Sequence, residues 1–343
     1  MSTTIIATIF VFGLLIFVHE LGHFITAKMV RMRVDEFAIG FGPKLISHRR
    51  GETLYSLRII PLGGFNKIAG MDPEEQQDER SFCSKPVWAR MLVIVAGSTM
   101  NFVLPVLLFC LVFWTSGIET PSDKAIIGAL LPDKPAVQAG ILAGDRIAAV
   151  NGAAIDNWKQ FVAAVQTNAG NKLTIALERN SQAHTVIVTP EYDQRSNRGI
   201  IGVTPEIIIY RPGITEGIGI AVSHTYTIAA SMLSGIGQMI TGKAAADVAG
   251  PIGVAQMAGQ VAQSGLIPLL QFAAFLSINL GLINLLPVPV LDGGHLVTLS
   301  IEGLRGKPLS SKSLQYVQMI GFALLMMLFL LATFKDLGRL KLF

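Results

Sequence analysis

Four apolar stretches, roughly residues 5–25, 92–115, 266–288 and 316–334, limit what this chain can fold into more than any other feature. Each is near the roughly 20 helical residues that cross a hydrocarbon core. In lipid a single segment satisfies its own backbone only as a helix. With 51% of its 343 residues hydrophobic and 15% charged, the chain is also too apolar for an ordinary soluble domain. The expected class is a polytopic α-helical membrane protein with four transmembrane helices.

The net charge of +4 does not call for nucleic acid, because Lys and Arg gather beside the apolar runs and form no basic face. The loop after the first span holds Lys28, Arg31, Arg33, Lys44, Arg49, Arg50, Arg58, Lys67, Arg80, Lys85 and Arg90, and the last loop holds Arg305, Lys307 and Lys312. By the positive-inside rule both face the cytoplasm, and everything between spans two and three lies outside. Lys335, Arg339 and Lys341 argue the other way. No basic residue precedes Ile5–Val18, which reads as a retained span rather than a signal peptide. Cys83 and Cys110 are not placed to build a disulfide framework.

Residues 120–205 change character, with short alternating runs such as Leu173–Leu177 and Thr185–Val188 between turns at Gly144-Asp145, Asn151-Gly152 and Gly170-Asn171. That pattern predicts a small soluble β-rich domain. In 214–240 apolar residues are interrupted by His224, Thr225, Tyr226, Ser231, Ser234 and Gln238, which suits an amphipathic helix on the membrane surface. The expected division is 1–116, 117–205, 206–265 and 266–343.

Within the first apolar stretch lies His19-Glu20-Leu21-Gly22-His23, an H-E-x-x-H motif. Spacing of four puts both imidazoles on one helical face, where they can share a Zn²⁺ with Glu20 alongside as general base. An ionisable residue inside a spanning helix is costly and by default functional, and here three fall within five positions. A catalytic zinc needs a third protein ligand and an open position. Thr26 stands where the extended soluble-protease motif would have Gly. The best candidate is Asp292, in Asn284-Leu285-Leu286-Pro287-Val288-Pro289-Val290-Leu291-Asp292-Gly293, with His295 and Glu302 as rivals. A fifth span at 214–240 would carry Asp292 to the wrong leaflet, so the metal hypothesis requires four.

These residues resemble the site-2 proteases, intramembrane zinc metalloproteases, and within them the bacterial branch that regulates sigma-E, in a form with one PDZ module. The likeness rests on the H-E-x-x-H and Asn284-to-Gly293 motifs, on Pro61-Leu62-Gly63-Gly64-Phe65, and on Phe82-x-x-Lys85-Pro86-x-Trp88-x-Arg90 leading to Gly97-x-x-x-Asn101. It implies one zinc ion on His19, His23 and Asp292, with Glu20 as catalytic base. It also implies a β-rich element from Phe37 to Phe65 dipping into the membrane, with which the Gly51-Glu52 turn between Lys44–Arg50 and Thr53–Ile59 is compatible. The expected substrate contacts are Asn284, Pro287, Pro289, Leu57, Ile59 and Gly63. Ala129–Gly152 resembles a PDZ module, an α+β fold that captures peptides at a sheet edge or excludes large substrates.

The function so implied is hydrolysis of a peptide bond inside the transmembrane segment of a single-span protein. Expected substrates are a pre-trimmed anti-sigma factor and remnant signal peptides. The expected location is the bacterial inner membrane, with the active site toward the cytoplasm and the PDZ module periplasmic. The better-known sigma-E regulator has two tandem PDZ modules, whereas the stretch between spans two and three has room for one, which weakens a size filter. A membrane-anchored PDZ scaffold with a non-catalytic zinc site is the competing function, in which Glu20 would have no task. A metal transporter fits less well, because a lone three-ligand site gives an ion no path.

Overall fold

The computed structural model describes residues 2–71, 78–194, 197–243 and 250–339; Lys341 lies outside them. In chain order the elements begin with α1 (Ser2–Met29), β1 (Val34–Arg50), β2 (Thr53–Ile68) and α2 (Val87–Ser116). There follow β3 (Ile118–Pro121), β4 (Ile127–Leu130), α3 (Pro135–Gln138), β5 (Arg146–Val150), β6 (Ala153–Ala154), α4 (Trp158–Gln166), β7 (Leu173–Arg179) and β8 (Gln182–Val188). Next come β9 (Glu191–Asp193), β10 (Arg198–Ile200), β11 (Val203–Pro205) and β12 (Ile207–Tyr210). The chain ends with α5 (Ile214–Ile240), α6 (Pro251–Gln263), α7 (Leu266–Asn284), α8 (Asp292–Arg305) and α9 (Ser311–Arg339).

Among the described residues four helices are long and apolar enough to cross a membrane: α1, α2, α7 and residues 312–338 of α9. α5 has 27 residues but is not one of them, because its polar residues dilute the apolar ones. The chain divides into one unit of residues 1–115 with 213–343 and another of 116–212.

In the first unit β1 and β2 fill the β-rich element expected from Phe37 to Phe65 and run well beyond the short hairpin strands around Gly51-Glu52. Lys44–Arg50 runs antiparallel to Thr53–Arg58, and Val34–Ile39 runs antiparallel to Gly64–Ile68. Glu36–Ile39 also lies beside Leu54–Leu57 with both numberings rising, which is a parallel register within a pairing otherwise antiparallel. The two segments therefore occupy four lanes, ordered 44–50, 53–58, 34–39 and 64–68, leaving 64–68 at an edge. The bend that allows this falls at Gly40, with φ +90°, where a Cβ would stand 2.7 Å from the Ile60 carbonyl oxygen. The turn is tied down by Glu52, which accepts from Lys28 Nζ at 2.6 Å and from both Arg80 nitrogens at 2.7 Å.

Beneath the sheet a buried cluster of Ala27, Met32, Val34, Ile68, Phe82, Ala89, Val93, Ile94 and Leu299 joins the end of α1 to the sheet, α2 and α8. α5 lays His224 edge-on against Phe109 of α2, ring centroids 4.7 Å apart. The third apolar stretch was expected to run to 288, but α7 stops at Asn284, ahead of Pro287, which disfavours helical geometry before it. α6 lies in the 206–265 segment beyond the expected amphipathic helix, where no further helix is expected from the sequence. Pro251 starts it and the buried Asp336 carboxylate of α9 accepts from the Gly250 and Gly253 amides at 3.0 and 2.8 Å, capping its N-terminus. Cys83 and Cys110 are both free thiols.

The second unit has a four-stranded sheet ordered β6-β5-β7-β8, with pairs β4–β11, β3–β12 and β9–β10. Its own core contains Ile127, Ile141, Ile147, Phe161, Leu173, Ile175 and Leu177. Buried Asp145 accepts from Arg179 Nε at 2.7 Å and Nη2 at 2.8 Å, and from the Leu142 amide at 2.8 Å. Burial of this carboxyl opposes its ionisation, but these partners outweigh it and hold its pKa below the ordinary value. The unit extends to Pro212 rather than 205, because β12 closes its base by pairing with β3.

Candidate metal centre

The second half of α1 brings His19 and His23 to one face, with Nε2 atoms 3.2 Å apart. Asp292 arrives from 269 residues later in the chain as the first residue of α8. His19 Nε2 lies 3.6 Å from Asp292 Oδ2, and His23 Nε2 lies 3.6 Å from Oδ1. Among the described residues these three are the His, Cys and acidic group whose ligand atoms could share a metal, all within 4.8 Å of one another. Zinc bonds of 2.0–2.2 Å at tetrahedral angles need ligand separations of about 3.3–3.5 Å. The observed separations match within a few tenths of an ångström, so the donor set and spacing fit a zinc ion.

The segment presenting Asp292 is strained and tightly packed. Val290 has φ +83°, a region that a β-branched residue rarely adopts. A Cβ on Gly293 would stand 2.2 Å from the Leu286 carbonyl oxygen, and one on Gly294 would stand 2.3 Å from that of Val288. Leu285–Leu291 therefore doubles back against the start of α8 as only glycine allows. α8 is fixed further along by Glu302, which accepts from Arg90 Nη1 at 3.1 Å and Nη2 at 2.5 Å. That pairing removes Glu302 as a rival ligand. His295 faces the same cavity but is not among the three clustered ligand atoms.

The cavity beside this cluster has a volume of about 270 Å³. Glu20, Phe65, Asn66, Ile68 and Asn284 line it. Asn66 Nδ2 donates to Glu20 Oε2 and to the Glu20 carbonyl, each at 2.7 Å. Of the expected substrate contacts, Asn284 lines the cavity, whereas Leu57, Ile59, Gly63, Pro287 and Pro289 are not in its wall. Leu57 sits in an inner lane, paired with both Ile39 and Ile46. Gly63 faces Phe41, whose ring would stand 1.9 Å from an added Cβ, and Pro289 packs on Gly321 of α9. The sheet residues that reach the cavity come instead from the edge lane, Phe65, Asn66 and Ile68.

Sequence reasoning singled out Asn101 only as part of a motif and gave no role to the partners on α2. His23 Nδ1 is 2.8 Å from the Val93 carbonyl oxygen, Ser98 Oγ donates to Asp292 Oδ2 at 2.9 Å, and the Asn101 amide is 3.1 Å from His19 Nδ1. The available signal was Ser98 and Asn101 themselves, polar residues inside a spanning helix.

Comparison with known proteins agrees with this geometry. The model of Peptidase family M50 matches residues 7–328. A Clostridium acetobutylicum chain bearing the zinc metalloprotease name is 38% identical, over 97% of this chain and 96% of that one. The regulator of sigma-W protease RasP of Bacillus subtilis is 33% identical, over 98% and 99% respectively. The zinc metalloprotease RasP of Bacillus licheniformis is 34% identical over the same shares. The two Bacillus alignments span 418 and 420 positions, more than the 343 residues here, so those proteins carry insertions that this chain lacks. With a family match over nearly its whole length, the chain belongs to Peptidase family M50, the site-2 proteases, and is a zinc metalloprotease of the membrane.

Proposed function

We propose that the protein hydrolyses a peptide bond within the transmembrane segment of a single-span membrane protein. His19, His23 and Asp292 hold the one zinc ion, and Glu20 handles the proton. The observation that carries this reading is the meeting of His19 and His23, on a helix apolar enough to span a membrane, with Asp292 of α8, their ligand atoms within 4.8 Å in a cavity that also holds Glu20.

Bound zinc supplies Lewis acidity, activating water as a nucleophile and polarising the scissile carbonyl. Glu20 takes the proton from the attacking water and passes it to the leaving nitrogen. Asn66 holds Glu20 Oε2 and so keeps the carboxylate turned into the cavity. A substrate helix must unwind before cleavage, and its freed N–H and C=O groups find no water in lipid. The edge lane Gly64–Ile68 offers them strand partners beside Glu20, and Asn284 holds the extended chain from the opposite helix end.

By the positive-inside rule the basic loops support an active site facing the cytoplasm and a 116–212 module, read as a PDZ domain, on the outer side. There it captures or screens a peptide terminus. The substrates are an anti-sigma factor already shortened on its outer side and, as a second group, remnant signal peptides. Mass analysis of products from a tagged single-span substrate tests the central point. New termini inside its apolar segment are expected; termini confined to its flanking regions contradict it.

A further inference from the structure

Three hydrogen bonds around the metal cluster start from one helix. Val93, Gly97 and Asn101 recur every four residues on α2, with Ser98 beside them, so they share a face. Val93 offers a carbonyl, which only accepts, so the Nδ1 of His23 must carry hydrogen and its Nε2 is left unprotonated for a metal. Ser98 Oγ fixes one oxygen of Asp292. Gly97 supplies room: a Cβ there would stand 2.2 Å from His23 Nε2. On the facing helix Gly22 does the same, since a Cβ would fall 2.4 Å from the Ala96 carbonyl oxygen.

Asn101 completes the set. It is fully buried, its Nδ2 as placed faces His19 Nδ1, and its Oδ1 has no partner. An amide's two ends have the same shape, so the hydrogen bond decides which one faces the ring. If Nδ2 faced His19, the ring would accept at Nδ1 and carry its hydrogen on Nε2, the atom that points at His23 and Asp292. A metal on Nε2 requires the opposite: Oδ1 toward the ring, accepting from Nδ1–H. Ser277 of α7 donates to the Asn101 carbonyl oxygen at 2.9 Å and anchors this stretch of α2 from a third helix.

We propose that α2 is the outer coordination shell of the zinc site, with Asn101 as a positioning residue that accepts from His19 Nδ1–H through Oδ1, Val93 doing the same for His23, and Ser98 orienting Asp292. The inference rests on the ligand assignment made above. Groups that orient metal ligands in this way typically change affinity by about 10–100-fold when removed.

The test is zinc affinity of the purified full chain in detergent, by competition with a chromophoric chelator at constant pH, alongside the unfolding temperature of the zinc-free protein. Asn101→Leu and Ser98→Ala are each expected to weaken zinc binding by about 10–100-fold. Asn101→Asp, whose carboxylate can only accept, is expected to hold zinc within a few-fold of the wild type. Asn101→Asp binding as weakly as Asn101→Leu would show that a donor is needed and overturn the assignment. Lower unfolding temperatures with unchanged zinc affinity in the folded protein would make α2 a packing element only, and overturn the proposal while leaving the ligands standing. A wild type that binds no zinc would overturn the ligand assignment itself.

Discussion

At the scale of single residues the centre depends on groups whose tasks separate. Glu20 lies outside the three-ligand cluster, so under the proposed mechanism Glu20→Gln is expected to keep zinc while losing about 10²–10⁴-fold in cleavage, the range for a general base; metal content and rate on one preparation check both. Gly97→Ala should act in the reverse order, because its Cβ displaces His23: zinc is lost first and activity with it, measured by metal analysis. His19, Glu20 and His23 were legible because four-residue spacing within one helix needs no tertiary knowledge. Asp292 was legible through its motif and the leaflet argument. Ser98 and Asn66 were not, since their partners lie 194 and 46 residues away and only the packed helices bring them together.

Among the elements, α8 has two fixed points: the strained approach at Val290 and the Arg90–Glu302 pair. The Arg90 and Glu302 side chains are only 9% and 16% exposed, so removing one partner strands a buried charge. Arg90→Ala is therefore expected to destabilise the protein by about 3–5 kcal/mol, whereas Arg90→Met with Glu302→Leu should recover most of it. Denaturant unfolding in micelles distinguishes the two. The β1–β2 sheet has a separate anchor at its turn. Hydrogen bonds from Arg80 and Lys28 hold the Glu52 carboxyl at about 2, below its ordinary 4.5. A depressed carboxylate stabilises above its unfolded pKa, so this tie is complete above pH 4.5 and is lost as pH falls toward 2. Imidazoles ligate only when unprotonated, so zinc and activity should go first on acidification while the turn stays protease-resistant, as parallel proteolysis and metal assays would show. The hairpin turn was readable from Gly51-Glu52. The doubling of its strands into four lanes was not, because it depends on a glycine bend and long-range register. α6 was missed for a similar reason, as the residue that caps it lies on α9.

For the molecule as a whole, the four long apolar helices were legible in the apolar stretches of the sequence, because lipid leaves the backbone few choices. The module of 116–212 has its own hydrophobic core. Its ends meet where Ile118 pairs with Tyr210, so a short Gly/Ser linker can replace 118–210 without stretching the chain. Such a deletion is expected to leave zinc binding intact and to cleave an already shortened substrate, with any loss of discrimination appearing on full-length substrate. The most direct test of intramembrane zinc proteolysis is cleavage of a tagged single-span substrate by the purified protein in detergent. Wild type, Glu20→Gln, and wild type stripped of zinc and then reloaded should be compared side by side. The account predicts a shortened product from the wild type and from the reloaded enzyme, and none from Glu20→Gln or the stripped protein. Cleavage that survives both the substitution and the loss of zinc would place the chemistry elsewhere.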